Sequence, residues 1–175
     1  MMKKKQESIP VQLARKSILH YLETGKTINQ TEGLPKEFTE KKAGTFVSLK
    51  KDGKLRGCIG TFLATRNNIA LEIIENAISA AVHDPRFSPL KLEEVDFLDI
   101  SVDILTPPEE VDDISQLNPK KYGVIVSTGY RKGLLLPDLD GVDTVEYQID
   151  IARQKAGISP DEKYQIQRFE VIRYY

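Results

Sequence analysis

Apolar residues recur at helical spacing in three stretches of the chain and alternate with polar ones in several others. Leu13, Ala14, Ser17, Ile18, Tyr21 and Leu22 share one stripe and predict a first helix. Ser8 stands at its N-cap, where a hydroxyl accepts from a free first-turn amide, Pro10 fits the opening turn, and Gly25 stops it. A second helix is predicted from about Asn67 to His83, with Ile69, Ala70, Ile73, Ala77, Ala80 and Ala81 as its buried stripe. Its alanines allow a neighbour to approach closely. Asp84-Pro85 ends it, because proline disfavours helical geometry in the preceding residue. Asp143 with Glu146 marks a third start, Val145, Ile149, Ala152 and Ala156 form the stripe, and Gly157 is the stop.

The strand pattern is clearest around Asp52-Gly53. Thr45–Lys50 and Lys54–Ile59 flank these residues, which favour a two-residue type I′ turn because glycine tolerates positive φ and aspartate does so better than most. Lys51 then faces Lys54, Leu49 faces Arg56 and Val47 faces Cys58. Alternation puts Arg56, Cys58, Val47 and Leu49 on one face, and Phe46, Leu55 and Ile59 on the other. Both faces are partly apolar, so the hairpin is expected to be covered on both sides.

Leu98–Leu105 alternates with Ile100, Val102 and Ile104 inward and Asp99, Ser101 and Asp103 toward water. Gly123–Ser127 and Gly133–Pro137 are two further strands, and a last one runs from Tyr164 to about Tyr174. Ser88-Pro89 starts a short helical turn through Glu94, while polar Lys26–Lys42 reads as a loop with room for a structured excursion. Strand pairs separated by helices predict an α+β fold, with mainly antiparallel sheets and flanking helices. No fixed-period repeat or low-complexity tract interrupts the pattern.

Composition narrows the function classes. A length of 175 residues suits a single domain, 1–175, with up to two lobes. Apolar residues at 40% and charged residues at 29% exclude long-range disorder. Lys+Arg 25 against Asp+Glu 26 gives net charge −1, which excludes a generally cationic protein but not a local basic patch. One cysteine forms no intrachain disulfide and fits a reducing cytoplasm. With only two histidines beside it, a zinc site lacks ligands unless carboxylates join, and no metal site is expected. No apolar run approaches the roughly 20 residues of a membrane helix. The basic start, MMKKKQES, has no apolar stretch behind it and so is not a secretory signal.

Two short segments carry the candidate chemistry. Leu55-Arg-Gly-Cys-Ile-Gly60 places a thiol between two glycines and two positions from an arginine. A guanidinium beside Cys58 favours the thiolate, and Gly57 and Gly60 let a ligand or another backbone come close. The alternative is a small buried core residue. Asp84-Pro85-Arg86-Phe87 combines an acid, a base and an aromatic beyond a helix end. Arg86 there either holds an anion in paired hydrogen bonds or, with Asp84, fixes a terminating turn. His83 is a candidate base for Cys58 or simply a helix-dipole partner, and His20 has no assigned role. Gly57-Cys-Ile-Gly60 matches a nucleic-acid-clamping G-x-x-G only formally, because it lies on a strand rather than between helices. Tyr130-Arg131-Lys132 with Arg56, Arg66 and Arg86 forms either a basic surface or a set of solvated turn charges.

Taken in order, Leu55–Gly60, Ala77–Ala81, Asp84–Phe87, Gly133–Pro137, Lys155–Gly157 and Arg168-Phe169 resemble the motifs of the AMMECR domain family over about Ser8 to Tyr174. The wording Gly133 to Val142 and the compact ending are similar to the bacterial branch called AmmeMemoRadiSam system protein A. The resemblance implies a two-lobed α+β fold: a larger lobe from both chain ends, a smaller inserted lobe, and a cleft near the signature. It implies partners of the Memo type and the radical-SAM type, and it names no cofactor and no reaction. Three functions remain in view. One is an enzyme using Cys58, with Arg56 and Arg86 as anion binders and Gly57, Gly60, Asp84 and Phe87 beside the ligand. Another is a non-catalytic binding module. The third is an RNA-associated protein.

Overall fold

The structure, a computed structural model, describes residues 6–29 and 31–175, so most of the basic start lies outside the described residues. The chain divides into two compact units. The larger comprises Met1–Ile104 with Arg173–Tyr175, and the smaller, Leu105–Ile172, is inserted between them.

In the larger unit, helix α1 (Ile9–Thr24) buries Val11, Leu13, Ala14, Ser17 and Ile18 and ends at Gly25, which sits at φ 70 and donates to the Tyr21 carbonyl. Ser8 is at the N-cap but makes no capping bond with its hydroxyl; its N–H instead donates to the Tyr175 carbonyl at 2.8 Å. The predicted loop holds a one-turn helix, α2 (Lys36–Thr39), which buries Phe38. Strands β1 (Thr45–Lys51) and β2 (Lys54–Thr61) form the expected hairpin, with Asp52 and Gly53 both at positive φ. Helix α3 (Ile69–Val82) follows; its N-cap Asn68 side chain accepts from the Leu71 N–H at 2.9 Å. A 3-10 turn (Leu92–Phe97) leads into β3 (Leu98–Leu105).

The hairpin departs from its predicted pairing at one residue. Lys51 faces Lys54 as expected and Lys50 faces Leu55, but Leu49 then faces Gly57, Ser48 faces Cys58 and Val47 faces Ile59. Arg56 is therefore the extra residue of a β-bulge. Since side chains alternate, one extra residue moves everything after it to the other face. Cys58 leaves the Val47–Leu49 face and joins Ser48, which in turn faces Ser101 across β3.

The first sheet runs β2-β1-β3-β8, where β8 is Val171–Tyr174. Val47, Leu49, Val102 and Ile104 on one face join residues of α1 and α3 in one buried cluster. The opposite face carries Ser48, Ser101 and Asp103. Asp103, expected in water, is buried because Arg173 of β8 grips its carboxylate at 2.7 and 2.8 Å.

The smaller unit has its own sheet, β4-β7-β5-β6, and its own core around Val124, Val126, Ile149, Ala152 and Ile158. Its elements are β4 (Glu109–Glu110), β5 (Gly123–Thr128), β6 (Arg131–Leu135), helix α4 (Val145–Lys155) and β7 (Gln165–Phe169). Thr144, between the two predicted markers, is the true N-cap of α4 and accepts from the Tyr147 N–H. The predicted last strand is two strands in two sheets. They part at Glu170, whose carbonyl accepts from the Thr106 N–H and whose N–H donates to the Thr106 hydroxyl.

The alanine stripe of α3 does admit a neighbour. A Cβ at Gly57 would lie 2.1 Å from the Ala80 carbonyl oxygen, whereas one at Gly53 meets nothing within 4 Å. Gly57→Ala is expected to lose about 1–3 kcal/mol or more through overpacking, against about 1 kcal/mol of backbone strain for Gly53→Ala. Urea unfolding of the two variants measures both; an equal loss would mean that the β2–α3 approach can relax.

Candidate functional site

The signature and the Asp84–Phe87 segment meet at the open edge of β2. Cys58 faces Ser48, but its N–H and C=O point away from β1, as alternate residues of an antiparallel edge strand do. Asp84 and Arg86 take up both groups. The Cys58 N–H donates to Asp84 Oδ2 at 2.9 Å, and Arg86 Nη2 donates to the Cys58 carbonyl at 3.1 Å. Arg86 also binds the Asp84 carboxylate through Nε and Nη2, at 3.0 and 2.7 Å, and its N–H donates to Asp84 Oδ1. An acid and a guanidinium thus stand where a further strand would supply a carbonyl and an amide. Proline fits between them because position 85 needs no donor.

The charges of this clamp are strongly committed. The Arg86 guanidinium, with the Cys58 and Arg86 backbone amides, overcomes burial and holds the Asp84 carboxyl well below the usual carboxylate range. Asp84 is buried, while the Arg86 side chain keeps 55% of its surface and lies 5.5 Å from the centre of the Phe87 ring.

Arg56 is committed elsewhere. Its Nε and Nη2 bind the two oxygens of Glu94 at 3.2 and 3.0 Å, and Nη1 donates to the Ser88 carbonyl at 2.9 Å. Lys51 Nζ reaches the same carboxylate at 3.1 Å, and the Lys91 N–H donates to it at 3.0 Å. Arg56 chiefly, then the Lys91 amide and Lys51, lower the Glu94 pKa to about 2. The bulge makes Arg56 available to the turn carrying Glu94, a residue that sequence reasoning assigned only to a short helical turn. The Glu94 carboxylate accepts from the Lys91 N–H and the Glu94 N–H donates to the Lys91 carbonyl, but lysine is no capping residue, so the spacing carried no signal for it.

The signature glycines serve packing. Gly57 admits the Ala80 carbonyl, and a Cβ at Gly60 would lie 2.3 Å from the Phe46 ring. Of the two openings that glycine offered, a ligand or another backbone, the backbone fills the first and an aromatic ring the second.

Cys58 itself is half-buried, with Ser48 Oγ 3.2 Å from its Sγ. His83 is the exposed C-cap residue of α3, and among the described residues no hydrogen bond joins it to Cys58. Arg66 pairs with Glu75, and Arg131 pairs with Glu162 in the smaller unit, so the arginines read as a basic surface each have an acidic partner. Among the described residues no group of three or more His, Cys, Asp or Glu side chains is placed to hold a metal.

A third buried carboxylate, in addition to Asp84 and Asp103, was not anticipated. Glu72 accepts from the Thr61 and Thr65 hydroxyls and from the Thr65 and Arg66 amides at 2.6–2.8 Å, fixing the loop that follows β2. Its position on the apolar stripe of α3, one residue before Ile73, was the available clue.

Asp84 and Glu94 titrate below their unfolded values. Their contribution to stability is therefore complete above the ordinary carboxylate range, roughly pH 4, and is lost as pH falls. For Glu94 the loss spans about pH 4 to about 2; for Asp84 it extends lower. Asp84→Asn is expected to cost about 1.5–3 kcal/mol at pH 7, the range for a hydrogen bond to a charged group, and to flatten the acid limb. Urea midpoints measured from pH 7 to pH 2 test this; an acid limb as steep as the wild type's would remove Asp84 from the linkage.

The AMMECR1 family profile matches residues 11–174. A Thermotoga maritima protein is 55% identical over 166 residues, spanning 94% of this chain and 95% of its own. Protein CA_C1420 of Clostridium acetobutylicum is 51% identical over 173 residues, 98% of this chain but 37% of its own length, so the chain spans little more than a third of that relative. The crystal structure of protein PH0010 from Pyrococcus horikoshii has the same fold, with TM-score 0.80 and 36% identity over 94% of this chain and 88% of that one. A profile match over almost the entire chain, and relatives well above 30% identity at nearly full length, make this chain a member of the AMMECR1 family.

Proposed function

We propose that this AMMECR1-family protein is a non-catalytic binding module, which presents a small molecule or a peptide to protein partners. The observation that carries the reading is the occupation of the charges around Cys58. Arg56 is held by Glu94 and Ser88, and Asp84 and Arg86 by the Cys58 peptide. A nucleophilic thiol needs an adjacent base or a cation free to hold its thiolate, and the hydrogen-bond neighbour here is a serine hydroxyl. The signature then serves as scaffold.

The partners proposed are the Memo-type and radical-SAM proteins of the AmmeMemoRadiSam system, on the similarity of Gly133–Val142 to that branch. The clostridial relative supports a domain that works beside another, since the matched region is a minor part of a longer chain. We place this work in the reducing cytoplasm, as the single thiol suggests. No helix among the described residues is long and apolar enough to cross a membrane. The RNA reading loses support because Arg56, Arg66, Arg86 and Arg131 all have acidic partners.

The exposed part of Arg86 favours one variant of the reading, in which its remaining surface meets an acidic group of the ligand or partner. Sedimentation of the purified protein with a Memo-type and a radical-SAM protein from the same organism tests the proposal. A complex with at least one of them is expected, unchanged by Cys58→Ala. Native Cys58 is expected to be alkylated more slowly than in urea, at a rate indifferent to Arg56→Gln. Absence of both complexes, together with native alkylation faster than that of free cysteine, would return the protein to the enzyme class.

A further inference from the structure

The polar face of the first sheet carries a site that the signature does not use. Lys50 faces Asp99 across β1 and β3, and Ser48 faces Ser101 in the next row. With Arg173 and Tyr175 these side chains border a cavity of about 180 Å³ within the larger unit. It is open to solvent on one side and lies below the roughly 300–1,000 Å³ typical of drug-sized ligand pockets, a size for a small metabolite rather than a nucleotide.

Two of its charges, Lys50 and Asp99, differ from those around Cys58 because they lack protein partners. Arg173 is gripped by Asp103, and Arg56 and Lys51 share Glu94. Lys50 and Asp99, although in register across the strands, make no ion pair, and neither side chain has a hydrogen bond among the described residues. The Ser101 hydroxyl has none either, and that of Ser48 is shared only with the Cys58 thiol. One ammonium, one carboxylate and two hydroxyls therefore stand around a small solvent-open hollow, with water as the partner of both charges. A simple anion would leave Asp99 facing it unfavourably, and a simple amine would do the same at Lys50 and Arg173. A ligand carrying both charges satisfies the set.

We propose that this cavity binds a small zwitterion, an α-amino acid or a comparably short molecule. Lys50 and the Ser48 and Ser101 hydroxyls take its carboxylate and Asp99 takes its ammonium. The inference rests on the binding-module reading and supplies the ligand class for it. Bound there, the ligand would lie one residue pair away from Cys58 through Ser48.

Heteronuclear NMR on the labelled full chain tests the site with glycine and L-alanine as probes, and with acetate and methylammonium as single-charge controls, each up to about 10 mM. L-Alanine is expected to shift the backbone signals of Lys50, Asp99 and Ser101. Its apparent Kd should rise about tenfold in Lys50→Gln and again in Asp99→Asn, the effect of losing one charge-assisted contact. Both controls should bind about tenfold more weakly than L-alanine. Lys50 and Asp99 are exposed and unpaired, so their variants keep the fold. No shift at these residues, or acetate binding as tight as L-alanine and indifferent to Asp99→Asn, would overturn the inference. Partner complexes persisting in that event would leave the module reading standing.

Discussion

Arg56 is one residue more than the β1–β2 ladder needs, and the position of every later signature side chain depends on that insertion. Without the bulge, Cys58 would pack beside Val47 and Leu49 and its peptide would be shared differently with β1. With it, Gly57 turns toward α3 and lies against the Ala80 carbonyl, while Cys58 turns toward Ser48 on the polar face. The extra residue is itself secured by Glu94, which ties the hairpin to the turn before β3.

The second consequence falls on the sheet edge. An exposed edge strand offers unpaired amides and carbonyls to any extended chain nearby. Asp84 and Arg86 cover the Cys58 peptide on β2, and in the smaller unit Lys155 Nζ donates to the Leu134 carbonyl on edge strand β6 at 3.0 Å. The close approach of helix to strand is repeated too: a Cβ at Gly133 would lie 1.8 Å from the Ala152 carbonyl, much as one at Gly57 would meet Ala80. Four of the motif segments, Leu55–Gly60, Asp84–Phe87, Gly133–Pro137 and Lys155–Gly157, therefore perform the same two tasks in two separate sheets. They bring a helix onto a strand through a glycine and close the strand edge with a charged side chain.

That division of labour explains why an arginine beside a cysteine does not amount to a reactive thiol. Guanidinium groups that satisfy carboxylates and backbone carbonyls are fixed in place, and their charge is already matched. The charged side chains without protein partners lie on the neighbouring strands β1 and β3, on the same face as Cys58, among residues whose types are ordinary for a strand with one wet side.

Periodicity alone determined the three long helices, the Asp-Gly hairpin and the α+β class, because each depends on local spacing that no distant contact overrides. It also located Asp84 and Arg86 as a paired acid and base. It missed the bulge, since the pairing partner of Leu49 is chosen by how β2 meets α3 and the Leu92–Phe97 turn, not by the turn residues that set the start of the register. It merged β7 and β8, because the Glu170 break depends on Thr106, more than sixty residues away in sequence. It placed Asp103 in water, because the arginine that buries it arrives on the last strand. Residue types and periods thus set which elements form and what chemistry they carry. Which face each side chain reached, and whether its charge was left free or matched, was decided by tertiary pairing, because one added residue in one strand reverses the parity of everything after it.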